Sequence, residues 1–502
     1  MEHNRGSWGS NTGFLLAAIG SAVGLGNIWS FPYKMGRCGG FLFFILYLLL
    51  SVFVGFVIMA GELAMGRKTG RGAVGAYHVL SKRFRWVGWL AVFSPFVVMG
   101  FYAVLGGYCM EYMVLNLSHL VIPGMQSQRG AEAFQMMLSH PMRSLISMLA
   151  FMAVCYLISR SGVSGGIERF NKVGMPALFG MLAIMIVRSL SLPNAMEGLK
   201  FMFLPGYAVE AGFIQQAPGF ASILATAGGQ MFFSLSLAMG AMITYGSYLG
   251  KGENLAKNAG IIVTADAIVA TLAGVAVIPA AIANGIVEIR SGATVLDAAT
   301  GLERAMTLAD IQLGGSSLLF VTLQDVFRSM GAIGPLFGTI FYLLVLIAAI
   351  SSAVSLMEVV IACFLDRSAE RGKRGNRPAV VALVSLAIAA EGAVVAADGL
   401  GTNGLWVPFQ KTFGVIGAFN GSWLEFMSAV SEGIAMPLGA LLMSLMVAWE
   451  LRPKTLLEEI HLGGSQKIDS FFTVCIRFVV PLAMLLILVG QLDEIFHLRM
   501  FS

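Results

Sequence analysis

The chain has 502 residues, of which 57% are hydrophobic and only 12% are charged, whereas soluble domains carry about 25% charged residues. This composition, with a mean hydropathy of +0.81, excludes an ordinary soluble enzyme or binding domain and predicts an all-α polytopic membrane protein. Loops between the hydrophobic segments carry the net charge of +5, so this charge indicates no nucleic-acid partner. The lipid bilayer is therefore a predicted partner of the chain.

Eleven hydrophobic segments are long enough to cross a bilayer, which takes about 20 mostly apolar residues. The segments between them leave no room for a soluble domain, so we expect one transmembrane domain over residues 1–502. We number the segments span 1 to span 11. They cover roughly residues 12–34, 40–65, 87–117, 142–159, 170–190, 221–249, 259–287, 333–364, 378–396, 424–449 and 471–491.

The basic residues predict how the chain is oriented in the membrane. Six Lys and Arg residues and no acid lie in the loop 66–85, and five lie in 365–377. Cytoplasmic loops retain such residues, so the N-terminus is expected in the cytoplasm and the tail after Gln491 outside. Span 1 is too long, and its flank too weakly basic, for a cleaved signal peptide. The expected location is the inner (plasma) membrane of the cell.

Span 1 contains an unusual glycine-rich stretch, G-S-A-V-G-L-G-N, from Gly20 to Asn27. Each interior glycine costs a helix about 1 kcal/mol relative to alanine. Backbone groups left without partners in hydrocarbon cost several kcal/mol more. We therefore predict a functional break over 20–27. Broken helices at mid-membrane are typical of transporters, where helix ends and free carbonyls bind substrate and cation.

Span 6 contains a second anomaly, Q-M-F-F-S-L-S-L-A-M-G, from Gln230 to Gly240. Spans 1 and 6 correspond if spans 1–5 and 6–10 are two halves, and an odd number of spans makes the halves inverted. We therefore predict a 5+5 inverted repeat with spans 1 and 6 broken. The predicted repeats cover about 8–190 and 221–449, followed by an extra helix at about 471–491.

Ionisable residues inside spans are costly and therefore mark candidate functional sites. Glu62 is expected to accept hydrogen bonds from unwound backbone, and Asp366 to lie at a solvated helix end. Asp266 has no basic residue in its own span, which favours a cation ligand. Hydroxyls at Ser351 and Ser352 of span 8 add oxygen atoms of the kind that sodium prefers. The cysteines and histidines show no disulfide or metal-site spacing.

Four motifs carry a resemblance to a known family. They are W-G-S-N-T-G-F-L-L-A-A-I-G-S-A-V-G-L-G-N-I-W-S-F-P-Y from Trp8, G-E-L-A-M-G-R from Gly61, the Gln230 motif extended to Tyr248, and A-A-I-S-S-A-V-S-L-M-E from Ala348. On these motifs the chain resembles the neurotransmitter:sodium symporter family. It is similar to its bacterial branch of leucine and multi-hydrophobic-amino-acid transporters.

The resemblance implies two sodium sites, a substrate site and an inner gate. The first sodium ion would be held by Ala22, Asn27, Ser234 and Asp266, and the second by Gly20, Val23, Ala348, Ser351 and Ser352. The implied substrate-binding residues are Ser21, Ala22, Gly24, Leu25, Gly26, Val98, Tyr102, Phe233, Ser234, Ser236, Met239, Ser352 and Leu356. The implied inner gate consists of Arg5, Trp8, Tyr248 and Asp366.

The sequence departs from the family pattern at three places: the outer gate, the chloride site and the tail, where the twelfth span of the family is absent. Ser30 and Ser428 stand where the family commonly has an ion pair as its outer gate, so that ion pair is not expected here. Tyr47, Gln230 and Ser234 match the family's chloride site, but Ala270 stands where chloride-independent relatives often carry a glutamate. Asp266, one helical turn earlier, could supply the negative charge instead. We therefore expect transport that is independent of chloride.

The resemblance and the residues together predict a sodium-coupled importer of a neutral, hydrophobic or aromatic α-amino acid. Gly24 leaves room for the substrate carboxylate. One alternative keeps the fold but couples transport to protons through Asp266 or Glu358. Another is an amino-acid sensor that transports slowly. A membrane enzyme is the least favoured reading, since no nucleophile–base pair is present. Many bacterial family members stop at eleven spans, and the expected assembly is a monomer or weak homodimer.

Overall fold

The computed structural model describes residues 7–122, 129–296, 302–311, 313, 318–372, 375–405, 422–464 and 468–496. Helices dominate this part of the chain, and the expectation of an all-α membrane protein is confirmed. Nine of the described helices are continuous and apolar enough to cross a membrane, and the two halves of span 1 form a bent tenth.

Span 6 completes the predicted set of eleven spans, although it is too strongly interrupted to count as one helix. Its two helical parts are separated by six residues without helical structure. The spans, in order, are Asn11–Ala22 with Gly26–Arg37, Phe41–Thr69, Val87–Val121, Pro141–Arg160, Val163–Leu190, Phe220–Ser234 with Ala241–Gly246, Leu255–Arg290, Gly331–Glu370, Arg377–Asp398, Trp423–Leu451 and Asp469–Asp493.

Short elements connect the spans. A two-stranded antiparallel sheet pairs strand β1, Thr294–Leu296, with strand β2, Glu303–Ala305. The short helices are Ala73–Leu80, Gly130–Leu138, Ala195–Phe203, Tyr207–Glu210, Leu308–Asp310, Leu318–Thr322 with Leu323–Ser329, and Lys454–His461.

Spans 3 and 8 form the centre of the bundle. In each of these two spans, 83% of the most apolar 18-residue stretch is buried inside the bundle. The corresponding share is 33% in spans 4, 5, 9 and 11. Span 8 packs on span 3 and on the inner half of span 1. The two broken spans therefore lie against the most protected helices, where unpaired backbone groups are shielded from lipid.

The break in span 1 is shorter than the sequence predicts. The inner half is helical through Ala22, and only Val23 to Leu25 separate it from the outer half, which bends away by 43°. The prediction of a break over 20–27 is therefore wrong at both ends. Gly20 lies inside the helix, where a Cβ atom would overlap the Asn171 side chain of span 5. This glycine serves close helix packing rather than unwinding.

Candidate functional site

The two breaks face each other across a small cavity closed by side chains from spans 3 and 8. Residues from both breaks line it, so segments more than 200 positions apart in sequence meet at one place. Ten of the thirteen predicted substrate residues form its wall: Ser21, Ala22, Gly24, Gly26, Tyr102, Phe233, Ser236, Met239, Ser352 and Leu356. The other three, Leu25, Val98 and Ser234, are fully buried but are not among the wall residues.

The outer half of span 1 begins at the cavity wall. The backbone N–H of Gly24 donates to Asn27 Oδ1 at 3.1 Å, and the N–H of Leu25 donates to the Tyr102 hydroxyl at 3.1 Å. A helix N-terminus carries partial positive charge and N–H groups without partners in the helix itself, which together favour an anion. This end of the cavity is therefore suited to a carboxylate.

Hydroxyl groups gather around the end of the inner half of span 1. The carbonyl of Ser21 accepts from Ser236 Oγ at 2.9 Å and from Ser352 Oγ at 3.0 Å. The carbonyl of Gly20 accepts from Ser351 Oγ at 2.6 Å, and Ser351 also donates to the Ala348 carbonyl at 2.8 Å. Four of the five residues predicted for the second sodium site thus lie together. For Val23, the described contact is its N–H bond to the Ile19 carbonyl.

The buried centre of the bundle contains the carboxylate of Asp266. Its Oδ1 accepts from Asn27 Nδ2 at 2.7 Å and from Ser234 Oγ at 2.8 Å, and its Oδ2 accepts from the Tyr47 hydroxyl at 2.7 Å. All four side chains are fully buried. Within the described part of the chain, Asp266 forms no salt bridge. A buried carboxylate without a cationic partner is costly, and its oxygen-rich surroundings fit a hard cation such as sodium.

The predicted chloride positions are already engaged with protein groups. Tyr47 and Ser234 both donate their hydroxyl hydrogens to Asp266. Gln230 donates to the Gly26 carbonyl at 2.7 Å and accepts from Ser30 Oγ at 2.8 Å. The carboxylate of Asp266 thus already accepts hydrogen bonds from two of these three side chains.

The side of the cavity that is expected to face outward contains an ion pair that the sequence did not reveal. Ser30 bonds to Gln230, and one helical turn beyond Ser30 and Ser428 lie Lys34 and Glu432. Lys34 Nζ is 3.5 Å from Glu432 Oε2 and 5.9 Å from the ring centre of Phe233, which forms part of the cavity wall. Lys34 follows Ser30 by four residues, and Glu432 follows Ser428 by the same number. This shared spacing is the sequence signal that could have indicated the pair.

Aromatic side chains cluster on the side of the cavity that is expected to face the cytoplasm. Trp8 donates to the Tyr245 carbonyl at 3.1 Å, and its ring lies 6.4 Å from that of Tyr248. Tyr248 donates to Glu358 Oε1 at 2.9 Å, and Arg377 forms a salt bridge with the same carboxylate at 2.5 Å. Glu358, which the proton-coupled alternative takes as a coupling residue, thus belongs to a paired network.

Asp366 and Glu62, the other ionisable residues that the sequence singles out, each accept a hydrogen bond from a backbone N–H group. Asp366 Oδ2 accepts from the Gly72 N–H at 2.9 Å, while its predicted partner Arg5 lies outside the described residues. Glu62 Oε1 accepts from the Ala238 N–H at 2.8 Å, which is a bond to unwound backbone of span 6. The expected structural role of Glu62 is thus the one that the structure shows.

Broken helices that face each other in the middle of a membrane bundle define a transporter rather than an enzyme. Comparison with known proteins agrees with this class. A model of the sodium:neurotransmitter symporter family matches residues 5–129 and 128–501. The chain therefore belongs to this family of sodium-dependent membrane transporters.

Relatives are found among bacteria and animals. The chain is 33% identical to an uncharacterized sodium-dependent transporter, YhdH, of Bacillus subtilis, over 96% of each chain. It is 31% identical to the sodium-dependent neutral amino acid transporter B(0)AT3 of Mus musculus, over 55% of this chain and 48% of the relative. Among solved structures, MhsT in complex with L-phenylalanine superposes with a TM-score of 0.80 at 29% identity, covering 97% of this chain and all of MhsT.

The geometry at Gly24 leads to a prediction about stability. A Cβ atom there would overlap Ser352 Oγ and lie 2.8 Å from the Tyr102 hydroxyl. Gly24→Ala should therefore destabilise the protein, by about 1–3 kcal/mol as in other overpacked sites. Thermal unfolding of the purified protein measures this effect. Gly180→Ala is the control, because a Cβ atom at Gly180 meets nothing within 4 Å. Equal melting temperatures for the two variants would contradict the close packing at Gly24.

Proposed function

We propose that the protein imports a neutral, hydrophobic or aromatic α-amino acid together with sodium, by alternating access to the central cavity. The observation that carries this proposal is that three features lie together around one cavity. The helix N-terminus at Gly24–Gly26 and the carbonyl of Ser21 are at its wall. The buried carboxylate of Asp266 is joined to that wall by Asn27, which donates to Asp266 and accepts from the N–H of Gly24.

The cavity offers complementary partners for both charged groups of an amino acid. The substrate carboxylate would meet the N–H groups near Leu25 and the Tyr102 hydroxyl. The substrate ammonium would meet carbonyl oxygens near Ala22 and Phe233 and the Ser236 region. Gly24 supports this orientation, because a side chain at that position would fill the place of the carboxylate.

The rest of the cavity favours an apolar side chain. Phe233, Met239 and Leu356 form this part of the wall. Val98 is fully buried four residues before the wall residue Tyr102 in span 3. A charged substrate side chain would lose its hydration without gaining a partner. L-Phenylalanine bound to MhsT, and the neutral amino acids in the name of B(0)AT3, support the same substrate class.

Two sodium ions are proposed, one at each oxygen cluster. The first would lie between Ala22, Asn27, Ser234 and Asp266 and would also contact the substrate carboxylate. Because ion and substrate would then complete each other's site, each must raise the affinity of the other by the same factor. The second would lie among Gly20, Val23, Ala348, Ser351 and Ser352, where it would join the inner half of span 1 to span 8.

Closure on the two sides would use different groups. On the side expected to face outward, we propose that Lys34 and Glu432 close the cavity in place of the missing family ion pair. On the side expected to face the cytoplasm, Trp8 and Tyr248 would close it, with Asp366 and Arg5. The proposed orientation follows from the basic loops 66–85 and 365–377.

A first prediction concerns coupling at the shared sodium and substrate site. Asn27→Ala should weaken sodium binding and amino-acid binding together, by about tenfold, within the usual range of coupling between linked sites. Binding of a labelled hydrophobic amino acid over a sodium titration measures both affinities. Asn116→Ala is the control. Asn116 is also a buried amide, but its described hydrogen bonds go to Tyr112 and Gln324, which belong to neither proposed sodium site.

Two outcomes would contradict this coupling. One is the loss of only one affinity in Asn27→Ala. The other is full counterflow uptake in proteoliposomes when potassium replaces sodium, which would favour a proton-coupled carrier. Binding without any sodium-driven flux would instead favour a sensor.

A second prediction concerns chloride. Uptake by the wild-type protein should be unchanged when gluconate replaces chloride, because Asp266 already supplies the negative charge. Asp266→Asn removes that charge, so its residual uptake should require chloride. Adding Ala270→Glu to this variant restores a carboxylate one helical turn away and should remove the requirement. Wild-type uptake that stops in gluconate would show that Asp266 does not replace the anion.

A third prediction concerns closure by Lys34 and Glu432. Lys34→Glu and Glu432→Lys should each lower uptake about tenfold, since like charges meet across the entrance, and the double exchange should recover most of it. Lys200→Glu is the control, because Lys200 forms a comparable but more exposed pair with Glu197. A double exchange no better than the single variants would mean that the pair does not act as a unit.

A further inference from the structure

Spans 2 and 7 enclose a groove on the outside of the bundle, away from the central cavity. Its volume is about 420 Å³. Two of its wall residues, Val52 and Ile268, are 52% and 50% exposed, so the groove opens toward the surroundings of the bundle. Its wall consists of Leu48, Ser51, Val52, Val263, Thr264, Ala267, Ile268, Thr271 and Leu272.

The groove lies well within the length of both helices. Its wall residues are at least seven positions, or about 10 Å, from either end of Phe41–Thr69 and Leu255–Arg290. Residues at this depth of a membrane helix face hydrocarbon rather than water or lipid head groups. The occupant must therefore come from the hydrocarbon layer.

Two of the three hydroxyls of the wall, those of Ser51 and Thr271 but not that of Thr264, bond to their own helix. Ser51 Oγ donates to the Tyr47 carbonyl at 2.8 Å, and Thr271 Oγ1 donates to the Ala267 carbonyl at 2.8 Å. Hydroxyls that bond to their own helix expose mainly their methyl or methylene groups. No charged residue is part of the wall, so a polar or charged ligand would lose hydration without compensation.

We propose that this groove binds the hydrocarbon tail of a bilayer lipid. The depth of the groove along both helices, its opening toward the surroundings of the bundle and its uncharged wall all fit this occupant. The groove also lies behind the proposed first sodium site. Ser51 begins a π-helical turn, Ser51–Gly55, and bonds to the carbonyl of Tyr47, whose hydroxyl donates to Asp266. Ala267, another wall residue, directly follows Asp266 in span 7.

The groove thus connects the lipid phase to the hydrogen bond between Tyr47 and Asp266. A lipid tail packed against Ser51 and Ala267 holds spans 2 and 7 at the separation that this bond requires. Lipid occupancy therefore raises sodium affinity. This consequence rests on the proposed sodium-coupled function, whereas binding of the lipid tail does not.

The first test measures lipid binding directly. The wild-type protein is reconstituted with a phospholipid whose acyl chains are brominated at mid-chain, and bromine density is located in its structure. We expect bromine in the groove of the wild-type protein and of Leu49→Trp, a matched control whose residue is 48% exposed on the same helix but outside the wall. Val52→Trp and Ile268→Trp fill the groove and should exclude bromine. A wild-type groove without bromine, or equal density in all variants, would overturn the proposal.

The second test measures the consequence for sodium. After exchange into a lipid-free detergent with a rigid steroid body instead of an alkyl tail, the sodium concentration for half-maximal amino-acid binding should rise about fivefold in the wild-type protein and in Leu49→Trp, at the low end of coupling between linked sites. Val52→Trp carries its own filler and should change by less than twofold, about 0.4 kcal/mol. An equal shift in all three proteins would overturn the link between groove and sodium site. Absence of sodium-dependent binding in the lipid-reconstituted wild type would refute the proposed function, while the bromine result would still decide the groove.

Discussion

The buried carboxylate of Asp266 is the constraint on which the centre of this protein depends. It joins four spans, because Asn27 of span 1, Tyr47 of span 2 and Ser234 of span 6 all donate hydrogen bonds to this residue of span 7. These bonds lower the cost of burying the charge, but they do not neutralise it. A bound cation would neutralise it, and the four spans would then have a fully compensated arrangement. Sodium would thus act as a part of the structure as well as a driving ion.

The breaks in spans 1 and 6 create a second demand, because their backbone groups lose helical partners inside the membrane. Side chains from other spans meet this demand: Tyr102 accepts from Leu25, and Glu62 accepts from Ala238. Span 6 carries additional strain, since Ser236 and Ala238 adopt positive φ angles of 53° and 59°. Such conformations cost about 1–3 kcal/mol each and persist where the surroundings enforce them. The strained segment is the one that lines the cavity, so its geometry is fixed before a ligand arrives.

Much of the fold was predictable from the sequence because spans and breaks are local signals. Hydrophobic length gave the eleven spans, and glycine or serine within an apolar run located both breaks. The prediction failed where a local signal has two physical causes. Gly20 was assigned to the break, but it is needed because Asn171 of span 5 packs on that helix. Lys34 and Glu432 were missed because they are 398 positions apart, and only the fold makes them neighbours.

The positions of the charges explain how a bundle with a rigid centre could open at its ends. In the centre, Asp266 is bound by neutral donors that are fully buried, and separating them would leave unpaired polar groups in a dry interior. The contact at one end is different: Lys34 and Glu432 are 15% and 12% exposed. Water can replace such partners as they separate, so this end can open at a lower cost than the centre. At the other end Arg377 is 22% exposed but Glu358 is fully buried, so its carboxylate must keep a partner, Arg377 or Tyr248, while that end opens. The proposed alternating access therefore has its easier opening at the end closed by Lys34 and Glu432.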